Sequence, residues 1–197
     1  MKLNVLNIVF AVLLFVVVTH CILLENDLLF LSRQTRNFTT AQRKFQREVL
    51  NAHNIYRSRH CASSLRIDDR LSRSAQNYAQ RLANMNTMVH SGIKGVGENL
   101  YIMSSSNEIT QMSGSKATHA WYDEIKQYNF NQSTFSMETG HFTQVVWKGS
   151  QRLGVGFAFG NGGRSAFVVA QYTPPGNVQG TFRINVLRSN CRSSLLK

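Results

Sequence analysis

The sequence predicts an α+β domain in which helices cover an antiparallel sheet. Three observations carry that reading. Apolar residues recur at helical spacing through the stretch that follows residue 39. Two β-rich runs, Leu153 to Phe159 and Ser165 to Tyr172, flank a Gly160-Asn-Gly-Gly163 turn and form a hairpin pattern. Helices first and a hairpin late is an α+β order, not the alternation of a parallel sheet.

The elements follow in order. Lys2 precedes an uncharged run from Leu3 to Leu24, densest in apolar residues between Ile8 and Val18. This reads as a secretory signal over residues 1–21, with Thr19 and Cys21 at the −3 and −1 positions. The competing reading is an uncleaved anchor, since about 20 apolar residues span a bilayer. Asn4, Asn7, Thr19 and His20 weaken that span, which favours cleavage. Residues 25–39 are polar and basic with little periodicity, and 22–40 read as a linker to a domain over 41–190, with 191–197 as a tail.

Thr39-x-x-Gln42 matches a capping box and starts the first helix, whose face is Phe45, Val49, Ala52, His53 and Tyr56. A second helix opens after Asp68, with a stripe of Leu71, Ala75, Tyr78, Ala79, Leu82 and Met85. Gly95 to Met103 passes from a glycine-rich turn into a strand. A third helix over 116–128 places Ala117, Ala120, Trp121, Glu124 and Tyr128 on one side, which leaves Glu124 on an apolar face. A short helix follows Gly140. Pro174-Pro175-Gly176-Asn177 ends the second hairpin strand, and the run Gly180 to Leu187 is read as another strand or an extended tail.

Composition narrows the function classes. Apolar residues make up 43% of the chain, enough for a sizeable core. Against 22 Lys and Arg stand 10 acidic residues, and the resulting +12 favours anionic surfaces such as acidic phospholipid or glycosaminoglycan. The basic residues are scattered singly, so specific nucleic-acid binding is not expected. Of three cysteines, Cys21 leaves with the signal, and Cys61 and Cys191 remain as an even pair in an oxidising compartment. They are expected to form a disulfide, with two free thiols as the alternative.

Four residues stand out chemically: His90 ending the second helical region, Glu98 after the Gly95-Val-Gly97 turn, Glu124 on its apolar face, and His141 opening the short helix. Carboxylates are rarely buried without partners. Two histidines and two glutamates from separate segments satisfy one another or hold a divalent metal, although no HExxH or Cys-x-x-Cys spacing is present. Glu124 has a second option as a partner for Arg57 or for a backbone amide. His53, His60 and His119 carry no nameable partner and default to structure or surface.

Gly140-His-Phe-Thr-Gln-Val-Val-Trp-Lys-Gly-Ser150 resembles the first signature of the CAP superfamily (cysteine-rich secretory, antigen 5, pathogenesis-related 1), nearly residue for residue. Phe167-Val-Val-Ala-Gln-Tyr-Thr-Pro-Pro-Gly-Asn-Val178 resembles the second, departing at Ala170 where many secreted members carry cysteine. His53-Asn54 with Arg57, and Gly97-Glu-Asn-Leu100, resemble two further motifs. Trp121-Tyr-Asp-Glu-Ile-Lys-Gln-Tyr-Asn-Phe130 is similar to the Golgi-associated pathogenesis-related subgroup. The resemblance implies an α-β-α sandwich with a central antiparallel sheet and a cleft, and a tetrad of His90, Glu98, Glu124 and His141 competent for Zn²⁺ or another divalent ion.

It also implies a secreted, extracellular binding protein for anionic lipid, sterol or an extracellular protein, with a homodimer among its states. The alternatives are a metal-independent interaction module, or a hydrolase in which Ser104 is the nucleophile, His90 its base and Glu98 the orienting carboxylate. No Gly-x-Ser-x-Gly elbow supports the hydrolase, so an enzyme is the less favoured reading.

Overall fold

The computed structural model describes residues 18–19, 22 and 38–189. Most of the signal at 1–21, most of the linker, the tail at 191–197 and the partner cysteine of the expected Cys61–Cys191 pair lie outside these residues. The chain divides into a unit up to Thr40 and a unit from Ala41 onward, and the account below concerns the second.

Helix α1 spans Thr40–Arg59, strand β1 Arg66–Ile67, α2 Asp69–Met85, β2 Gly97–Ser104 and α3 Gly114–Asp123. A 3-10 turn at Glu124–Gln127 follows, then α4 Gly140–Val146, β3 Arg152–Gly160, β4 Ser165–Thr173 and α5 Phe182–Asn185. The sheet runs in the order β1-β3-β4-β2. Its three long strands are antiparallel, as expected, but the two residues of β1 pair parallel to β3 and make the sheet mixed. So short an element leaves no periodic trace in the sequence.

Alternation along β3 sorts the two faces of the sandwich. Leu153, Val155 and Phe157 join the larger core with α1, α3 and α4 residues such as Val49, Trp121 and Phe142. Ala158 faces the smaller core with Ala75, Ala79 and Leu82 of α2. Gly154 and Gly156 share that second face. A Cβ there would stand 2.2 Å from the Leu71 backbone and 2.3 Å from the Gln76 Cα, so the absent side chains let α2 lie directly on the strand. With helices on both sides, β4 is buried without interruption from Ser165 to Tyr172, which explains its unbroken apolar run.

Beyond β1 the outer edge of β3 has no strand partner among the described residues, and side chains pair its backbone instead. The Val155 amide donates to Ser72 Oγ at 3.3 Å, and Gln46 Nε2 donates to the Val155 carbonyl at 3.4 Å. Gln76 takes both groups of Phe157, accepting at 3.2 Å and donating at 2.7 Å.

Asp68 caps α2 by accepting from the Arg70 and Leu71 amides at 2.8 and 3.0 Å. Met85 is exposed because the last turn of α2 passes the end of β3, where Gly160 lies under Ala83. In α3 the buried stripe is Gly114, Ala117, Thr118 and Trp121, and Ala120 is exposed. The run 180–187 holds the short helix α5 in place of a strand.

Candidate functional site

Glu98 is the second residue of β2, and its neighbour Gly97 decides how closely that strand approaches α4. A Cβ on Gly97 would lie 2.1 Å from Gln144 Oε1. Gln144 is buried; its Oε1 accepts from the Gly176 amide at 2.8 Å and its Nε2 donates to Ser150 Oγ at 3.2 Å. Ser150 Oγ donates in turn to the Pro174 carbonyl at 2.9 Å. One glutamine therefore locks together the segments around Gly97, His141 and Gly176.

Two carboxylate–imidazole pairs result. Glu98 Oε1 lies 3.0 Å from His90 Nδ1 and accepts from the Ser91 amide at 2.8 Å, while Oε2 accepts from Gln171 Nε2 at 3.0 Å. The Glu98 side chain is 7% exposed and that of His90 61%. Burial alone pushes the Glu98 carboxyl up, but the bonds from His90, Ser91 and Gln171 together outweigh it and hold it below the usual carboxylate range. The hydrogen bond from Glu98 raises the His90 imidazole above its ordinary value, against a smaller opposing effect of burial.

Glu124 stands where α3 gives way to the 3-10 turn. Its Oε1 lies 2.7 Å from His141 Nδ1, and its Oε2 accepts from the His141 and Phe142 amides, both at 3.0 Å. A carboxylate at the first turn of α4 answers amides that have no partner within the helix. This resolves the odd placement of Glu124 on an apolar face, and it takes the backbone-amide option over Arg57. The Trp121 ring stacks on His141 at 6.5 Å between centroids, and Asn99 Nδ2 donates to the His141 carbonyl at 3.0 Å.

His90, Glu98 and His141 line one cleft of about 110 Å³, together with Asn99, Phe135, Met137, Gly140 and Asn177. In each ring Nδ1 is committed to a carboxylate, leaving Nε2 as the nitrogen for a ligand. Among the described residues no three His, Cys, Asp or Glu side chains converge into a metal-holding group. The groups that could hold a divalent ion here are the two imidazole Nε2 atoms, with the glutamates behind the rings as orienting groups.

Ser104 is not brought to this site. It ends β2 six residues beyond Glu98, roughly 20 Å of extended backbone away at about 3.3 Å per residue. A contact between Ser104 and the His90–Glu98 pair within one chain is thereby removed, and with it the triad of the less favoured hydrolase reading.

Among the described residues, His53, His60, His119 and Arg57 pair with backbone carbonyls and tyrosine hydroxyls. His53 Nδ1 donates to the Val49 carbonyl at 2.9 Å, so Nε2 accepts from the Tyr172 hydroxyl at 2.8 Å. His60 bridges the Leu187 carbonyl and the Tyr122 hydroxyl, at 2.6 and 2.9 Å, and His119 pairs with the Tyr56 hydroxyl. Arg57, fully buried, donates to the carbonyls of Ser63, Val145, Trp147 and Ser150.

Gln171, Phe135, Met137 and Asn177 were not singled out in the sequence. Gln171 alone carried a signal, as a lone amide in an apolar strand, and its register opposite Glu98 gives it its role.

Comparison with known proteins agrees with this architecture. The family model described as CAP, cysteine-rich secretory protein family, matches residues 50–172. Golgi-associated plant pathogenesis-related protein 1 of Homo sapiens is 43% identical over 153 residues, covering 75% of this chain and 96% of that protein. Among solved structures, BmVAL-1 superposes with a TM-score of 0.64 at 26% identity, over 79% of this chain and 86% of that one. NaASP2 with Zn²⁺ gives 0.58 at 26% identity, over 78% and 88%.

Proposed function

Because the chain belongs to the CAP, or cysteine-rich secretory protein, family, we propose that it is an extracellular binding protein, not an enzyme, whose cleft takes Zn²⁺ or a similar divalent ion on His90 and His141. One observation carries the reading: each imidazole has its Nδ1 held by a glutamate, the arrangement that fixes ring orientation and tautomer for a metal on the other nitrogen. When bound, the ion would place a positive charge at the base of the cleft. The relative NaASP2 was determined with Zn²⁺, which makes that ion the first to test. The family's description is secretory and the human relative is described as Golgi-associated, and both support a secretory route.

The ligand we propose is an anionic lipid or a sterol, with an extracellular protein as the other class. Net charge of +12 supports the anionic mode. A groove of about 320 Å³, lined by Phe45, Met112, Phe157 and Phe159 and also by Lys44, Glu48, Thr110 and Gln111, supports an amphipathic one. Calorimetric titration of Zn²⁺ into wild type and a His90→Ala/His141→Ala variant tests the metal site. Binding that vanishes in the variant supports it, and equal affinity in both places the ion elsewhere. Binding of a neutral sterol separates a lipid pocket from surface charge.

A further inference from the structure

We infer that Arg66 and Arg152 form a site for the sulfate groups of an extracellular polysaccharide, an assignment that draws on the extracellular placement proposed above. The two arginines are direct Cα partners across the parallel bridge of β1 and β3. Both are exposed. Along β3, Arg152 shares the face of Gly154 and Gly156, which α2 covers from Leu71 onward. The pair therefore emerges just ahead of the first turn of α2, where the helix stops shielding the sheet, and Arg70 of that turn is exposed four residues beyond Arg66.

Like charges set directly opposite one another in a sheet work against pairing. Here no ion pair relieves them among the described residues. Asp68 spends its Oδ1 on the Arg70 and Leu71 amides, and Asp69 is held by Arg43 through two bonds of 2.6 and 2.9 Å. Among the described residues no ion pair reaches Arg66, Arg70 or Arg152. Planar guanidinium forks match tetrahedral oxyanions in a bidentate way, and neighbouring forks in fixed register suit a polymer with repeated anionic groups.

A membrane surface fits less well. The segments that carry the pair, residues 56–84 and 138–158, hold no exposed large apolar side chain to insert among lipid tails.

The test uses the full chain on immobilised heparin, with an Arg66→Gln/Arg152→Gln variant and a Lys94→Gln/Arg164→Gln variant that removes the same charge elsewhere. The site variant is expected to elute at lower salt, to lose roughly tenfold in affinity, and to show a log–log salt slope reduced by nearly two. The control is expected to change by less than about threefold, and fully desulfated heparin to retain neither protein. Arg66→Lys/Arg152→Lys, which keeps the charge, is expected between wild type and the Gln variant. Equal losses in the site and control variants would reduce the effect to net charge and overturn the assignment. So would an unchanged site variant, or a pair needed for phosphatidylserine vesicles and not for heparin.

Discussion

Glu124 holds His141 twice, with Oε1 2.7 Å from the ring Nδ1 and Oε2 3.0 Å from the backbone amide of the same residue. The carboxylate uses both oxygens, and an amide side chain offers only one acceptor. In Glu124→Gln either the ring or the helix amides lose their partner. Zn²⁺ affinity is expected to fall about 10–100-fold, and stability by about 1–3 kcal/mol. Calorimetry and urea unfolding of the same variant measure the two effects. Unaltered Zn²⁺ affinity would remove Glu124 from the site.

Gly156→Ala addresses the close contact between β3 and α2. The new methyl would meet the Gln76 backbone at 2.3 Å, and no rotamer change moves a backbone atom. A loss of about 1–3 kcal/mol is expected from overpacking. Gly162→Ala, with φ of 61° and open space around it, should cost about 1 kcal/mol from backbone strain alone. Denaturation midpoints rank the two, and a reversed order would show that α2 shifts without penalty.

His53 should make the fold acid-sensitive. Burial pushes its imidazole down to about 3, with the Val49 carbonyl partly opposing and Arg57 acting in the same direction as burial. Below a pH of ~6.5 the unfolded chain takes up a proton that the folded chain refuses until the lower value, so stability falls as pH falls across that window. The slope from this residue approaches ~1.4 kcal/mol per pH unit. His60, also lowered by burial, adds in the same sense. His53→Gln is expected to be less stable at pH 7 but to show a shallower dependence between pH 7 and pH 4. An identical slope in the two proteins would assign the sensitivity elsewhere.

The Cys61–Cys191 disulfide is expected to form in the secreted protein. His60 Nδ1 donates to the Leu187 carbonyl at 2.6 Å, which brings the chain four residues before Cys191 to the end of α1. Closing a loop of about 130 residues contributes up to ~4–5 kcal/mol in the chain-entropy model. Intact mass after alkylation, with and without reduction, decides the pairing. Two alkylated thiols before reduction would refute it.

By itself the sequence determined the elements whose cause is local. Helical stripes, the Asp68 cap and the Gly160–Gly163 turn depend on neighbours within a few residues, and each appears in the fold near its expected place. The candidate residues His90, Glu98, Glu124 and His141 were legible as well, because rare polar types stood in otherwise apolar or glycine-rich settings.

Only the tertiary structure decided what those residues do. Glu124 meets an amide 17 residues away, His53 a hydroxyl on the last strand, and Arg57 three carbonyls of one distant segment, Val145 to Ser150. Ser104 looks near Glu98 in the sequence, yet an extended strand carries it to the far end of the sheet. Arg66 and Arg152 become neighbours through the register of a two-residue strand. Periodicity reports which face of an element is apolar. It does not report which other element, at which register, that face will meet, since that follows from how all the faces pack at once.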